Sequence, residues 1–342
     1  MRSLALGVMV VVALQPCAVT TARATVAARP AAPTVTVVGR AFGVYLDFEA
    51  VAGEGAEAAL IAALAAVRES EAASDLRSGP LAELNRGAGG GPRKTPEPLL
   101  ATLSRALAFC RWSEGTLGPL GGPLNELWGL RSPRPGLPAA TALEEARAAA
   151  ACDRLRVDAA QATATLAAGS RVDLWGFELG AALDRAVALL AARGVRDASL
   201  LLGNVQRAVG AGPEGRGWAL RIDVPSSVSS FTGGLRLRDQ SLAVASRDDG
   251  ELRAGGERYA PYLDQRSGRP ATGVVATVAI SELALDAQGL ASTLFVTGSR
   301  RGSLLLGQLQ PQPSVLWVLG DGKGEPLVSD YRWGGRLRRG GR

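Results

Sequence analysis

Helical and strand-like periodicities are distributed unevenly along this chain, and that segregation limits its possible folds more than any other feature. Apolar residues three and four apart dominate the first half. Apolar/polar alternation and short apolar runs dominate the second. The spacing predicts helices over 54–74 (Ala58, Leu60, Ile61, Leu64 and Val67 inward), 97–112 and 141–151, the last with Thr141 as a cap and Glu144 three residues on. A glycine- and proline-punctuated turn with a short helix is predicted at 118–130, then a proline-rich surface loop at 131–138. Strands are predicted as one hairpin at 34–38 and 42–48 and a second at 154–157 and 163–167. Further strands follow at 198–202, 205–210, 217–223, 234–238, 241–245, 274–280 and 314–319, with a helix at 284–297 and a shorter one near 300–309 before the last. With no regular strand–helix–strand alternation, this order points to one large α+β domain: a mainly antiparallel sheet with flanking helices.

The chain's 342 residues suffice to bury a full core, and 47% hydrophobic against 20% charged residues suits a globular protein. The net charge is +6, but basic residues are scattered except in RLRRGGR (336–342), and Lys94 and Lys323 are the only lysines. Without a basic stripe interleaved with aromatics, the sequence argues against nucleic-acid binding. The absence of histidine excludes imidazole metal ligands and imidazole general bases.

Residues 1–24 read as an export signal: Arg2 opens it, Leu4 to Leu14 form an apolar run, and Ala22-Arg23-Ala24 offer a small-x-small cleavage site. The run is short for a membrane span. The expectation is therefore an exported protein, periplasmic or cell-envelope. Cys17 follows Leu14-Gln15-Pro16, a poor lipobox, so lipid anchoring is the lesser reading. Residues 25–33 form an Ala/Pro linker, 34–330 the domain and 331–342 a basic tail, whose charge is the basis for a weak expectation of peripheral membrane association. The processed chain keeps Cys110 and Cys152, which either pair in an oxidising compartment or stay as two buried thiols.

Within the domain, RVDLWGFELGAALDRA (171–186) stands out. A polar turn with Asp173 leads through Trp175-Gly176-Phe177 into a helix whose Leu179, Leu183, Ala186, Leu189 and Leu190 share a core face. Gly176 lies near the helix start, where unpaired N–H groups can seat a phosphate. The plainer reading is a buried core helix with a tight first turn.

Six blocks then combine: LAELNR (81–86), SEGTLGPLGGPLNELWG (113–129), VDLWGFELGAALDRA (172–186), LLLGNVQRAVG (200–210), YAPYLDQRSGRP (259–270) and ASTLFVTG (291–298). In order and spacing they resemble the FAD:protein FMN transferase (ApbE-like) family, from about residue 38 to 330. The resemblance implies an exported protein that binds FAD with Mg²⁺, cleaves the pyrophosphate and attaches FMN to a Thr or Ser of a flavinylation-target protein. Such chemistry needs a metal to neutralise the pyrophosphate, held by hard oxygen ligands.

By position, the family's flavin contacts fall on Thr116, Leu117, Gly118, Asp173, Leu179 and Leu263. Its metal ligands fall on Gly176, through a carbonyl, and on Gln288 and Ser292. Several positions have changed chemistry: Leu179 replaces a cationic or polar residue, Trp175 a glycine, Gln288 a carboxylate and Ser292 a threonine. Leu117-Gly118-Pro119-Leu120 stands for F-D-P-T, Tyr259-Ala260-Pro261-Tyr262 for Y-S-H-I, and Asp75 for an aromatic. Asp286 is no substitute for the lost carboxylate, being roughly 200° around the helix from Gln288. Framework residues survive, among them Trp128, Asp264, Arg266, Gly268 and Pro270. Arg247, Asp248 and Asp249 are candidates to compensate, Arg247 towards phosphate and the aspartates towards metal; the plainer reading is an exposed charged turn. Two functions follow: an FMN transferase with an atypical metal site, or a catalytically silent relative that keeps a flavin- or partner-binding surface.

Overall fold

The computed structural model describes residues 31–130, 136–220, 222, 235–250, 252–320 and 326–334. The expected export signal with Cys17, most of the linker, most of the proline-rich loop, parts of the strands at 217–223 and 234–238 and most of the basic tail lie outside the described residues.

Eight strands form the main sheet: β1 (Thr34–Ala41), β2 (Val44–Val51), β3 (Ala198–Leu202), β4 (Val205–Val209), β5 (Gln240–Ser246), β6 (Val274–Ser281), β7 (Ser314–Leu319) and β8 (Leu327–Tyr331). They lie side by side in chain order, every neighbouring pair antiparallel. The predicted antiparallel α+β class is what the chain adopts. Two-residue turns close the first hairpins; Phe42-Gly43 has positive φ at both positions, which matches the twist of the strands it joins.

Among the described residues, helices enter this meander at two points. Six lie between β2 and β3: α1 (Ala56–Ser74), α2 (Gly79–Arg86), α3 (Glu97–Trp112), α4 (Gly122–Leu127), α5 (Ala140–Ala149) and α6 (Glu178–Ala192). The last, α7 (Ala284–Leu306), lies between β6 and β7. α1 packs on α6, α6 on α7, and α7 on β5 and β6. Gly180 sets the α6–α7 approach: a Cβ there would lie 2.4 Å from the Ala284 carbonyl oxygen. The main core holds Phe48, Leu103, Phe177, Leu183, Phe295 and Trp317. On the other face of the sheet, Val278, Ile280, Leu316 and Val318 pack with Trp218, Leu237 and Trp333. Burial on both faces explains why β6 reads as an unbroken apolar run.

The structure differs from the sequence reading at several points. In α1, Ala58 and Ile61, expected to face inward, are exposed, while Ala59, Ala63 and Ala66 are buried instead, because the small alanines let the neighbouring elements approach on that side. α5 begins at Ala140 behind an Ala139 cap, so Thr141 lies within its first turn and caps nothing. α2 was not expected, and β8 extends the sheet beyond 314–319. Segments 218–220 and 235–237 pair with each other outside the main sheet. The two late helices run on from one another across Gly298, which alone leaves helical geometry. Cys110 and Cys152 are joined by a disulfide, which ties α3 to the 152–154 turn.

Candidate functional site

The start of α6, the first turns of α7 and the 116–121 loop converge. Gly176 has φ of 95°, a left-handed turn that brings the chain into α6 at Glu178. A Cβ on Gly176 would lie 3.3 Å from Ser292 Oγ and 3.6 Å from Leu117 Cδ2, so these three are neighbours. Gln288 reaches the same junction, its Oε1 accepting the Gly180 N–H at 2.8 Å.

Asp173 is buried and anchors the loop opposite. It accepts from Asn125 Nδ2 at 2.9 Å and from the Trp175 N–H at 3.0 Å, while its own N–H donates to Pro119 O. Asn125 is a partner that sequence reasoning missed, although it lies inside the GPLNELWG block. Thr116 Oγ1 donates to Ser113 O, and the Leu117 N–H donates to Ser113 Oγ. Gln265 clamps the loop: its N–H donates to Thr116 O and its Nε2 to Gly118 O at 2.9 Å. Leu263 is buried in a two-residue strand paired with Arg269–Pro270, where Asp264 and Arg266 form an ion pair at 2.7 Å. Leu179 is half-buried; a Cβ on Gly203 would lie 3.4 Å from its Cδ1, which puts it beneath the β3–β4 turn.

The Arg247–Asp249 turn divides. Asp248 is exposed. Asp249 Oδ2 takes the Ser246 N–H at 2.8 Å, Asn204 Nδ2 at 3.2 Å and the Tyr262 hydroxyl. Arg247 donates its backbone N–H to Val275 O. Although the turn is exposed by area, atoms crowd the Asp249 carboxyl, and desolvation raises it above the usual carboxylate range, opposed by those three donors. Burial, with Asp249 alongside, holds the Tyr262 phenol well above its ordinary value, so it stays a donor. The Tyr262 ring packs against Trp175 and Phe295 at centroid distances of 4.8 and 4.5 Å.

Two further aspartates act structurally. Asp286 makes a two-pronged contact with Arg105, both distances 2.6 Å, and so faces away from Gln288 as the helical angle requires. Asp184 caps α7, accepting from the N–H groups of Ala284 and Leu285 at 2.8 and 2.9 Å. Burial raises its carboxyl, opposed by those two N–H groups and by Arg207.

A cleft of about 450 Å³ opens beside the Asp173 turn, lined among others by Phe42, Asp75, Arg77, Asp173 and Glu178. Its volume is that of a small-molecule site. The adjoining Gly176 junction carries neutral groups at the three positions the family resemblance assigns to metal: the Gly176 backbone, the Ser292 hydroxyl and a Gln288 amide oxygen already bonded to Gly180. Among the described residues no cluster of three His, Cys, Asp or Glu side chains is placed to hold a metal. A hard divalent cation that keeps its waters reluctantly exchanged needs carboxylate charge. These residues do not fit Mg²⁺.

Fold and cleft together define the class: an α+β protein built on a sequential antiparallel meander, with a cleft of small-molecule size beside the start of α6. The ApbE family profile matches residues 34–317, and the chain belongs to that family. It is 30% identical over 257 residues to the FAD:protein FMN transferase of Rhodobacter capsulatus, matching 71% of this chain and 47% of that protein, so it spans less than half of that relative's length. It is 30% identical over 259 residues to the FAD:protein FMN transferase of Treponema pallidum (strain Nichols), matching 70% of this chain and 71% of that protein. Among solved structures, Flavin Transferase ApbE from Vibrio cholerae superposes with TM-score 0.74 at 23% identity, covering 88% of this chain and 97% of that one. The apo flavinyl transferase ApbE of Pseudomonas stutzeri gives 0.77 at 20% identity, with 88% and 95% covered. At these identities the superpositions establish the shared fold.

Proposed function

We propose that this chain is an exported flavin-binding member of the ApbE family that holds FAD and engages a partner protein without metal-dependent transfer of FMN. The observation that carries this reading is Gln288, a neutral amide bonded to the Gly180 N–H at the position where the family resemblance puts a metal-binding carboxylate. Mg²⁺ would supply charge neutralisation of the pyrophosphate, several kcal/mol of it. Three neutral groups supply no countercharge. The buried Asp173, tied to the 116–121 loop through Pro119, and the adjoining cleft support retention of the nucleotide. The Cys110–Cys152 disulfide supports export to an oxidising compartment, as does the signal-like 1–24 segment.

The processed chain is incubated with FAD, Mg²⁺ and a flavinylation-target domain, and the target is weighed intact. FAD retention with no gain of one FMN is the expected result; a mass gain with the unaltered chain, or failure to retain FAD, refutes the reading. Gln288→Asp with Ser292→Thr is expected to confer Mg²⁺-dependent transfer. The second reading, an active transferase, is favoured by the names of the curated relatives and by the retained Asp173, and the same weighing decides it.

A further inference from the structure

The disulfide has two unlike ends. Cys110 is fully buried, whereas Cys152 is half-buried and lines a cleft of about 570 Å³ with Glu114, Glu144, Arg147, Gln265 and Arg266. The buried end presses on the candidate site: a Cβ on Gly118 would lie 2.6 Å from Cys110 Sγ, so the 116–121 backbone lies directly on the disulfide. Gln265 spans both places. It lines the cleft, its N–H and Nε2 hold Thr116 and Gly118, and its Oε1 is buried without a partner among the described residues.

We propose that Cys110–Cys152 is a thiol–disulfide exchange site for an external dithiol, attacked at the Cys152 sulfur, and that its reduction releases the Ser113–Gly121 segment of the candidate site. Exchange proceeds by in-line attack of a thiolate on whichever sulfur it can reach, and only Cys152 faces an open cleft. The charges lining that cleft balance, Arg147 and Arg266 against Glu114 and Glu144, so access rather than charge selects the sulfur that is attacked. The new bond joins the attacking sulfur to Cys152; the Cys110–Cys152 bond breaks, and Cys110 leaves as a thiolate that takes a proton. The second thiol of the dithiol then attacks its own partner sulfur, freeing Cys152 and carrying away the oxidised dithiol. The two electrons come from the dithiol. Two free thiols need more room than a bonded pair, and on the Cys110 side that room is occupied by Gly118.

Glutathione serves as the probe on the native protein, pulsed briefly, acid-quenched, alkylated and mapped by peptide mass. The expected product carries glutathione on Cys152 and the alkyl group on Cys110, at least tenfold over the reverse. Glutathione on Cys110, or no adduct short of global unfolding, overturns the proposal. Hydrogen exchange on protein fully reduced with dithiothreitol reads the second half: amides of 113–121 exchange at least tenfold faster while α1 is unchanged. Unchanged protection at 113–121, or loss of protection in α1 as well, overturns it. Neither measurement uses FAD, so failure here is distinct from failure of the flavin reading.

Discussion

Asp184→Ala is the sharpest test of how this fold is held together. The carboxylate caps α7 through the N–H groups of Ala284 and Leu285, and losing such a cap costs about 0.5–2 kcal/mol. It also faces Arg207, whose side chain is only 10% exposed and whose Nε lies 3.8 Å from Asp184 Oδ1. Without Asp184 that guanidinium keeps, among the described residues, Ser241 Oγ and the Glu282 carbonyl, both neutral. Stranding a buried charge costs about 3–5 kcal/mol, and the lower end applies because Asp184 is itself 21% exposed. The expected loss is about 4 kcal/mol, a large part of the roughly 5–15 kcal/mol that holds a typical domain. Asp286→Ala is the control. Its pair with Arg105 is much shorter, at 2.6 Å, but the Arg105 side chain is 51% exposed, so the expected loss is about 0.5–1 kcal/mol. Urea unfolding followed by circular dichroism measures both. If Asp286→Ala costs as much as Asp184→Ala, then ion-pair distance rather than burial and capping sets the energies, and the reasoning is wrong.

Gly180→Ala forces a methyl to 2.4 Å from the Ala284 carbonyl, a backbone atom that cannot rotate away, and is expected to cost about 1–3 kcal/mol by the same unfolding assay. Asn125→Ala leaves the buried Asp173 carboxylate short of one donor, an expected loss of about 1–3 kcal/mol. Asp249 titrates above the usual carboxylate range in the folded chain, so between that range and its raised value the folded state holds more protons than the unfolded one. Stability from this group is therefore present at lower pH and fades as pH rises through that window. Melting temperatures taken from about pH 4 to pH 7 are expected to show this slope reduced in Asp249→Asn, and an unchanged slope would refute the assignment.

Much of the architecture is legible in local pattern. The bounds of α3, β3 and β7 follow directly from apolar spacing, and the absence of strand–helix alternation announces an antiparallel sheet. The candidate site is legible mainly as a set of positions: Leu117, Gly176 and Ser292, from three distant stretches of chain, are neighbours, and Gln288, one helical turn before Ser292, reaches Gly180. The helical angle alone placed Asp286 away from Gln288. Local pattern missed α2, too short for its periodicity to stand out behind Gly79-Pro80, and β8, whose burial depends on what lies across the sheet. Thr141 had the composition of a cap, but the helix begins one residue earlier.

Sequence by itself determined most of the segments that form helices and strands, because periods of two and 3.6 encode a face without reference to any partner, but the face it chose for α1 was only half right: Leu60 and Val67 are buried, whereas Ala58 and Ile61 are exposed. It also determined the lack of charge at position 288, where the family resemblance puts a metal-binding carboxylate, since an amide is an amide in any fold. Only the tertiary structure decided where each polar group places its hydrogen bonds and whether the two cysteines pair. Gln288 goes to Gly180, Asp184 to the start of α7, Asp249 to Tyr262 and Cys110 to Cys152. Those partners lie from 13 to more than 100 residues away along the chain, so nothing in local spacing distinguishes them; they are chosen when the helices close over the sheet and buried polar groups must be satisfied.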